Sequence, residues 1–251
     1  MTTVRYRIPR EHGAYVVLIA SWVFGVLYTH PTDTAGSALA LTSALSIFLL
    51  QDPFKQFSRP KRGSNPFAST AALTLALLGA VSGTAMIART PSVAMCVVPL
   101  TVIGALYFVM LRNKRSAIAR SFVGFAGLTL LTPMTMLASG SAASLTALFL
   151  VWIFATLFFC TSIYCVAIRL SESGAMRNAL LYHGIAFAIV SILVRSQLLP
   201  ISAVWCMLVP LVRFVLIVFT RERYTRLPIK YIGIQETIVA LLALGLTIVI
   251  R

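Results

Sequence analysis

Glu11 and His12 stand side by side, an acid next to an imidazole, and Gly13 after them lets a ligand or another backbone approach closely. Histidine titrates near neutral pH, and a carboxylate beside it can act as partner acid, base or orienting group. Asp52, after Gln51, offers a third group of the same kind. Glu11, His12 and Asp52 are therefore the candidates for proton-transfer chemistry. A second set could hold a substrate. Lys55, Arg59, Arg112, Arg115 and Arg169 can grip a phosphate or diphosphate directly. Glu172, His183, Arg213 and Glu236 add further polar partners. The plainer alternatives are that the acids cap helices or snorkel to an interface, and that the cations set topology and meet anionic lipid.

What positions these residues is a series of apolar blocks. The chain has 251 residues, 59% apolar and 11% charged, against about 25% charged in a soluble domain. Nine blocks follow one another at residues 13–30, 35–50, 67–88, 92–111, 121–139, 145–168, 179–194, 201–219 and 232–250. Most approach the roughly 20 residues that cross a bilayer as a helix. The second and seventh are short, as expected if a polar cavity lies at their ends. The expectation is an all-α polytopic transmembrane bundle of about nine spans, forming a single domain over residues 1–251. The first block follows a basic arm but lacks a clear small-residue cleavage site, so it is expected to be a retained helix.

The net charge of +15 would suggest nucleic acid in a soluble protein. Here the loops account for it. With nine spans, seventeen cations fall on one side: Arg5, Arg7 and Arg10; Lys55, Arg59, Lys61 and Arg62; Arg112, Lys114, Arg115 and Arg120; Arg169 and Arg177; Arg221, Arg223, Arg226 and Lys230. The other side receives Arg89, Arg195 and Arg251, and Arg213 lies inside the eighth block. The positive-inside rule then places the N-terminus in the cytoplasm and the C-terminus outside. No nucleic-acid partner is expected.

Five of the six carboxylates (Glu11, Asp52, Glu172, Glu222 and Glu236) share the cytoplasmic face, and Asp33 lies opposite. His183 is expected in the first turn or so of its helix, and Gln235 and Glu236 at the start of theirs. A basic, polar mouth over an apolar interior follows. Cys96, Cys160, Cys165 and Cys206 all fall inside apolar blocks at spacings that match no zinc or disulfide framework. Gly79 and Gly83 form a GxxxG expected to serve helix packing.

Pro9-Arg10-Glu11-His12-Gly13-Ala14-Tyr15 resembles the opening of the YwiC-like family of bacterial membrane proteins, whose signature is Glu-His-Gly-Ala-aromatic at the first helix. The nine-span arrangement also resembles the UbiA-type prenyltransferase superfamily. There, the loop after the second helix carries Asn-Asp-x-x-Asp-x-x-x-Asp, often followed by Arg-Pro and Gly. Here that loop has Gln51-Asp52, then Lys55 and Arg59 where the next two acids would stand, then Pro60 and Gly63. The loop of the second Asp-rich motif keeps only Glu172. The resemblance implies an isoprenoid or quinone-like lipid held in the bundle, its head group at the cytoplasmic mouth. Superfamily enzymes hold Mg²⁺ on the missing acids, so no metal and no cofactor is expected, and any transferase activity would have to run without that ion. Two other functions fit the same composition: a subunit of a respiratory or photosynthetic membrane complex, which would bring partner subunits, and a small-molecule transporter. For the transporter, no internal repeat or midplane polar site is visible.

Overall fold

The computed structural model describes residues 12–29, 33–51, 70–112, 117–170 and 173–250. Among these every regular element is helical: α1 His12–Thr29, α2 Thr34–Leu49, α3 Thr70–Arg89, a 3-10 turn Pro91–Cys96 running into α4 Val97–Arg112, α5 Ala117–Thr129, α6 Leu131–Ala138, α7 Leu145–Arg169, α8 Ala175–Arg195, α9 Ser202–Phe219, the short α10 Arg221–Arg226, and α11 Ile229–Val249. Among the described residues, each of the nine apolar blocks falls largely on helix. Seven segments are long and apolar enough to cross a bilayer, counting 3-10 turn plus α4 as one and α5 plus α6 as another. Residues 13–29 and α2 are apolar but shorter. The 16 residues of α2 reach about 24 Å, against a hydrocarbon core of about 30 Å. The chain is a multi-pass helical membrane protein.

Helix boundaries correct the seventh block. It was expected from residue 179, but α8 begins at Ala175, after Gly174 in the left-handed region at φ 73°. Arg177 and Asn178 interrupt the apolar pattern without interrupting the backbone hydrogen bonds, so the helix reaches 21 residues and is not short. His183 consequently sits about 12 Å along α8, deeper than the first turn. By the same arithmetic Glu236 lies about 10 Å into α11, since that helix starts at Ile229.

Helix α1 is central, packed on α2, α5, α6 and α11. Its Phe24 is fully buried and meets Phe154, Phe158 and Phe159 of α7 edge-on, with ring centroids 6.0–6.2 Å apart. Such geometry suits the aromatic quadrupoles. Polar side chains tie helices together where lipid could not satisfy them: Thr132 donates to the Ser21 carbonyl at 3.0 Å, Trp22 to the Ser37 carbonyl at 3.0 Å, and Trp152 to the Ala126 carbonyl at 2.9 Å. Gly79 lets α3 close on α2, where Ser43 donates to the Gly79 carbonyl at 3.4 Å. The outward faces of α3, α4, α8 and α11 carry exposed Leu, Ile and Val.

At one end of the bundle, Asp33 caps α2 by accepting from the Gly36 amide at 2.9 Å and pairs with Arg89 at 3.1 Å. The Gly36 amide and then the Arg89 guanidinium hold the Asp33 carboxyl below its usual range. The Asp33 amide donates to the Ser139 carbonyl at 3.3 Å. The opposite end is rich in arginine.

Candidate functional site

Two polar places lie toward the arginine-rich end. The first is a buried ion pair. Arg213 of α9 meets Glu236 of α11 with Nη2 and Oε1 2.5 Å apart, the two side chains being 9% and 11% exposed. Two antiparallel neighbours connected by α10 bring these residues level, although 23 positions separate them in the chain. The Ser162 hydroxyl on α7 donates to the other Glu236 oxygen, Oε2. An intramembrane charge is costly unless it is paired and hydrogen-bonded, and here both conditions hold for the carboxylate. The guanidinium keeps unmet capacity: Nε and Nη1 have no hydrogen-bond partner among the described residues.

His183 of α8 lies against the same cluster. Its ring stacks on Phe214 at 4.6 Å and 17°. Nδ1 is 2.8 Å from the Ala179 carbonyl. A carbonyl only accepts, so Nδ1 carries the proton and Nε2 presents a lone pair. That Nε2 is buried, with no partner among the described residues. Below the cluster, the Tyr224 hydroxyl donates to the Cys165 carbonyl at 3.2 Å; burial pushes the Tyr224 phenol up to about 12, which keeps the hydroxyl a donor. Arg169 donates through Nε to the Leu227 carbonyl at 2.7 Å, clasping the end of α7 to the link before α11.

The second place is a cavity of about 850 Å³ between α1, α2, α4, α5 and α6. Its walls are apolar, with Leu18, Phe48, Ile103, Phe125 and Met134 among them. Polar groups gather at the arginine-rich end, where Gln51 donates to the Tyr107 hydroxyl at 3.1 Å and Arg120 and Ser121 complete the rim. Gly104 lines the wall, and a Cβ there would meet nothing within 4 Å. An apolar chamber with a few polar groups at one end is the usual form of a small-molecule site.

The residues expected to line one mouth therefore divide. Arg213, Glu236 and His183 come together among α7, α8, α9 and α11. Arg169 lies beside them in a structural clasp. Arg112 is the exposed last residue of α4. Glu11, Asp52, Lys55, Arg59, Arg115 and Glu172 lie outside the described residues, and His12 is described only as the first residue of α1. Ser162, Tyr107 and Gln51 are additions that sequence reasoning did not single out as site residues. Serine and tyrosine are too common in such helices to stand out, but Gln51 directly precedes Asp52 and carried a signal. The four cysteines are buried and free.

One family model, described as YwiC-like protein, matches residues 8–136. No curated protein and no solved structure matches the chain.

Proposed function

The chain belongs to the YwiC-like protein family, and on that premise we propose that it binds an isoprenoid or quinone-like lipid in the cavity between α1, α2, α4, α5 and α6. The observation that carries this is the cavity itself: about 850 Å³, within the roughly 300–1,000 Å³ of small-molecule sites, apolar along its length and polar only at the Gln51–Tyr107 end. Every lining residue, from Ala14 to Met134, falls inside the matched stretch 8–136, and none of the Arg213 cluster does. The quinone or head-group oxygen would accept from Tyr107 or Arg120, and the tail would run along Ile103, Gly104 and Leu100. Glu11, His12 and Asp52, adjacent in sequence to the cavity's first and second helices, are the groups proposed to handle protons there.

Filling the cavity tests this. Gly104→Phe adds a ring where open space exists, so the protein should fold and insert normally. Its co-purified isoprenoid or quinone, measured by lipid mass spectrometry, should fall at least tenfold. Tyr107→Phe removes one hydroxyl and should weaken retention less, by a few-fold, as one neutral hydrogen bond would. Unchanged lipid content in Gly104→Phe would sink the proposal.

We also propose nine crossings, in the manner of the UbiA-type superfamily, with the N-terminus cytoplasmic and the C-terminus outside. Loop charge supports it, and so do two contacts at opposite ends. Asp33, Arg89 and the Ser139 carbonyl join the first, third and fifth links. Arg169 and Leu227 join the sixth and eighth. Odd links meeting at one end and even links at the other is the pattern that nine crossings would give. Reporter fusions at residue 140 and after residue 251 should both report the outer side; a cytoplasmic C-terminus would exclude nine crossings.

A further inference from the structure

Three arginines among the described residues are not exposed: Arg120, Arg169 and Arg213. Two are held by the protein itself, Arg169 at the Leu227 carbonyl and Arg213 at Glu236. Arg120 has no hydrogen-bond or ion-pair partner among the described residues. Its nitrogens, unlike those of Arg213, are not among the atoms sealed inside the protein. An intramembrane charge calls for a partner, and Arg120 lines the cavity between α1, α2, α4, α5 and α6.

The wall is built around that arginine. Ala117, Arg120, Ser121 and Gly124 line the cavity at the spacing of one face of α5. The other three are small, which leaves room beside the guanidinium. At Gly124 a Cβ would stand 3.4 Å from the Tyr107 ring, so Tyr107 rests against this face, one turn from Arg120. The Tyr107 hydroxyl accepts from Gln51 and keeps its own hydrogen to donate. Gln51 Oε1 is buried and without a partner among the described residues, but one neutral oxygen does not balance a guanidinium. Among the described residues Arg120 is the single charge lining the cavity, and no carboxylate lines it. The complementary charge is one that the cavity's occupant can bring. A single cation matches a single negative charge. A phosphate monoester carries about −1.5 to −2 near neutral pH and would be left partly unneutralised among apolar walls. A carboxylate carries one charge and meets the guanidinium fork with two oxygens. About 21 Å of helix separates Arg120 from Met134, which also lines the chamber and leaves length for an apolar tail.

We propose that the lipid held in this cavity is a single-chain carboxylic acid, its carboxylate paired with Arg120 and its tail laid along Ile103, Gly104 and Leu100. The Tyr107 hydroxyl donates to the same head group. This rests on the reading of the cavity as a lipid site and adds the chemistry of the head: an isoprenoid or similar lipid acid in place of a neutral quinone.

One tail with three heads tests it: farnesoic acid, farnesol and farnesyl monophosphate, each titrated calorimetrically against the full-length protein in detergent at about pH 7, where a carboxyl is ionised. Farnesoic acid should bind about tenfold tighter than farnesol, the scale of one charge-assisted hydrogen bond, and tighter than the phosphate. Arg120→Gln removes the charge from a half-buried helix position and keeps a good helix former there. It should cost the acid about tenfold and leave farnesol unchanged. Arg120→Lys should restore part of the preference, since it keeps the charge and loses the fork. Gly104→Phe should release acid and alcohol alike. Equal binding of acid and alcohol, or a preference for the acid that survives Arg120→Gln, overturns the carboxylate, while Gly104→Phe still reports separately on the cavity. Farnesyl monophosphate binding tightest overturns it in favour of a phosphate head. No binding of any of the three, or binding that Gly104→Phe leaves unchanged, removes the cavity reading and this inference with it.

Discussion

Glu236→Leu is expected to cost about 3–5 kcal/mol of stability, the range for removing one partner of a buried ion pair. The substitution leaves Arg213 charged and enclosed, with Ser162 deprived of its acceptor. Arg213 cannot shed its proton to escape, since guanidinium stays charged in proteins. Replacing both residues, as in Arg213→Leu/Glu236→Leu, removes the desolvated charges together and should recover most of the loss, because apolar pairs often equal or exceed the buried ion pairs they replace. Denaturant unfolding in detergent measures both. If single and double variants are equally destabilised, the pair is not what makes the single substitution harmful, and packing around Phe214 and Ser162 would have to carry the effect.

Gly36→Ala should be comparably severe for a purely steric reason. A Cβ at Gly36 would fall 1.9 Å from the Ala138 carbonyl oxygen. The obstacle is backbone and cannot rotate away, so α2 must be pushed off α6. Overpacking of this kind typically costs about 1–3 kcal/mol, and a backbone clash so close belongs at or above the upper end. Gly25→Ala meets Thr135 Cβ at 2.6 Å and the Thr132 carbonyl at 2.7 Å and should follow the same pattern between α1 and α6. Gly245→Ala in α11 is the matched control: nothing lies within 4 Å, and an alanine in a helix interior is better by about 0.5–1 kcal/mol. Thermal unfolding should therefore fall sharply for the first two and hold or rise for the third. A Gly36→Ala protein as stable as its parent would mean that α2 and α6 do not pack at this distance.

The helices were legible because lipid imposes a simple code: long apolar runs, punctuated by cations. That code reports composition, and it errs where a helix continues through polar residues. Arg177 and Asn178 look like loop but belong to α8, and Ile229 begins α11 before the hydropathy rises. His183 and Glu236 therefore lie deeper than their distance from the apolar boundary suggests. The pairing of Arg213 with Glu236 was half visible. An arginine inside one block and a glutamate near the start of the next, on antiparallel neighbours, can be matched by the rule that intramembrane charges need partners. The participation of Ser162 carried no signal, and neither did the chamber closed by Tyr107, since a cavity is a property of how five helices splay. The division of the polar residues into two places is likewise tertiary; a shared face in sequence does not specify which neighbours converge.

The interruption between α5 and α6 has a mechanical meaning. Leu130 is a turn residue between α5 and α6 whose carbonyl still accepts from the Met134 amide at 3.2 Å, but Pro133 has no N–H to give the carbonyl four residues earlier, that of Thr129. The backbone thus lacks one rung of its ladder at a buried position. Leu128, Leu131 and Met134, which straddle that point, form part of the chamber wall. Tilting α6 against α5 would widen the chamber without rupturing a bond from residue 133, since none exists there. On the proposed lipid-binding reading, this wall would be the one to yield to tails of different girth, while the Gln51–Tyr107 hydrogen bond holds the rim. Selectivity would then reside in the rim and tolerance in the wall.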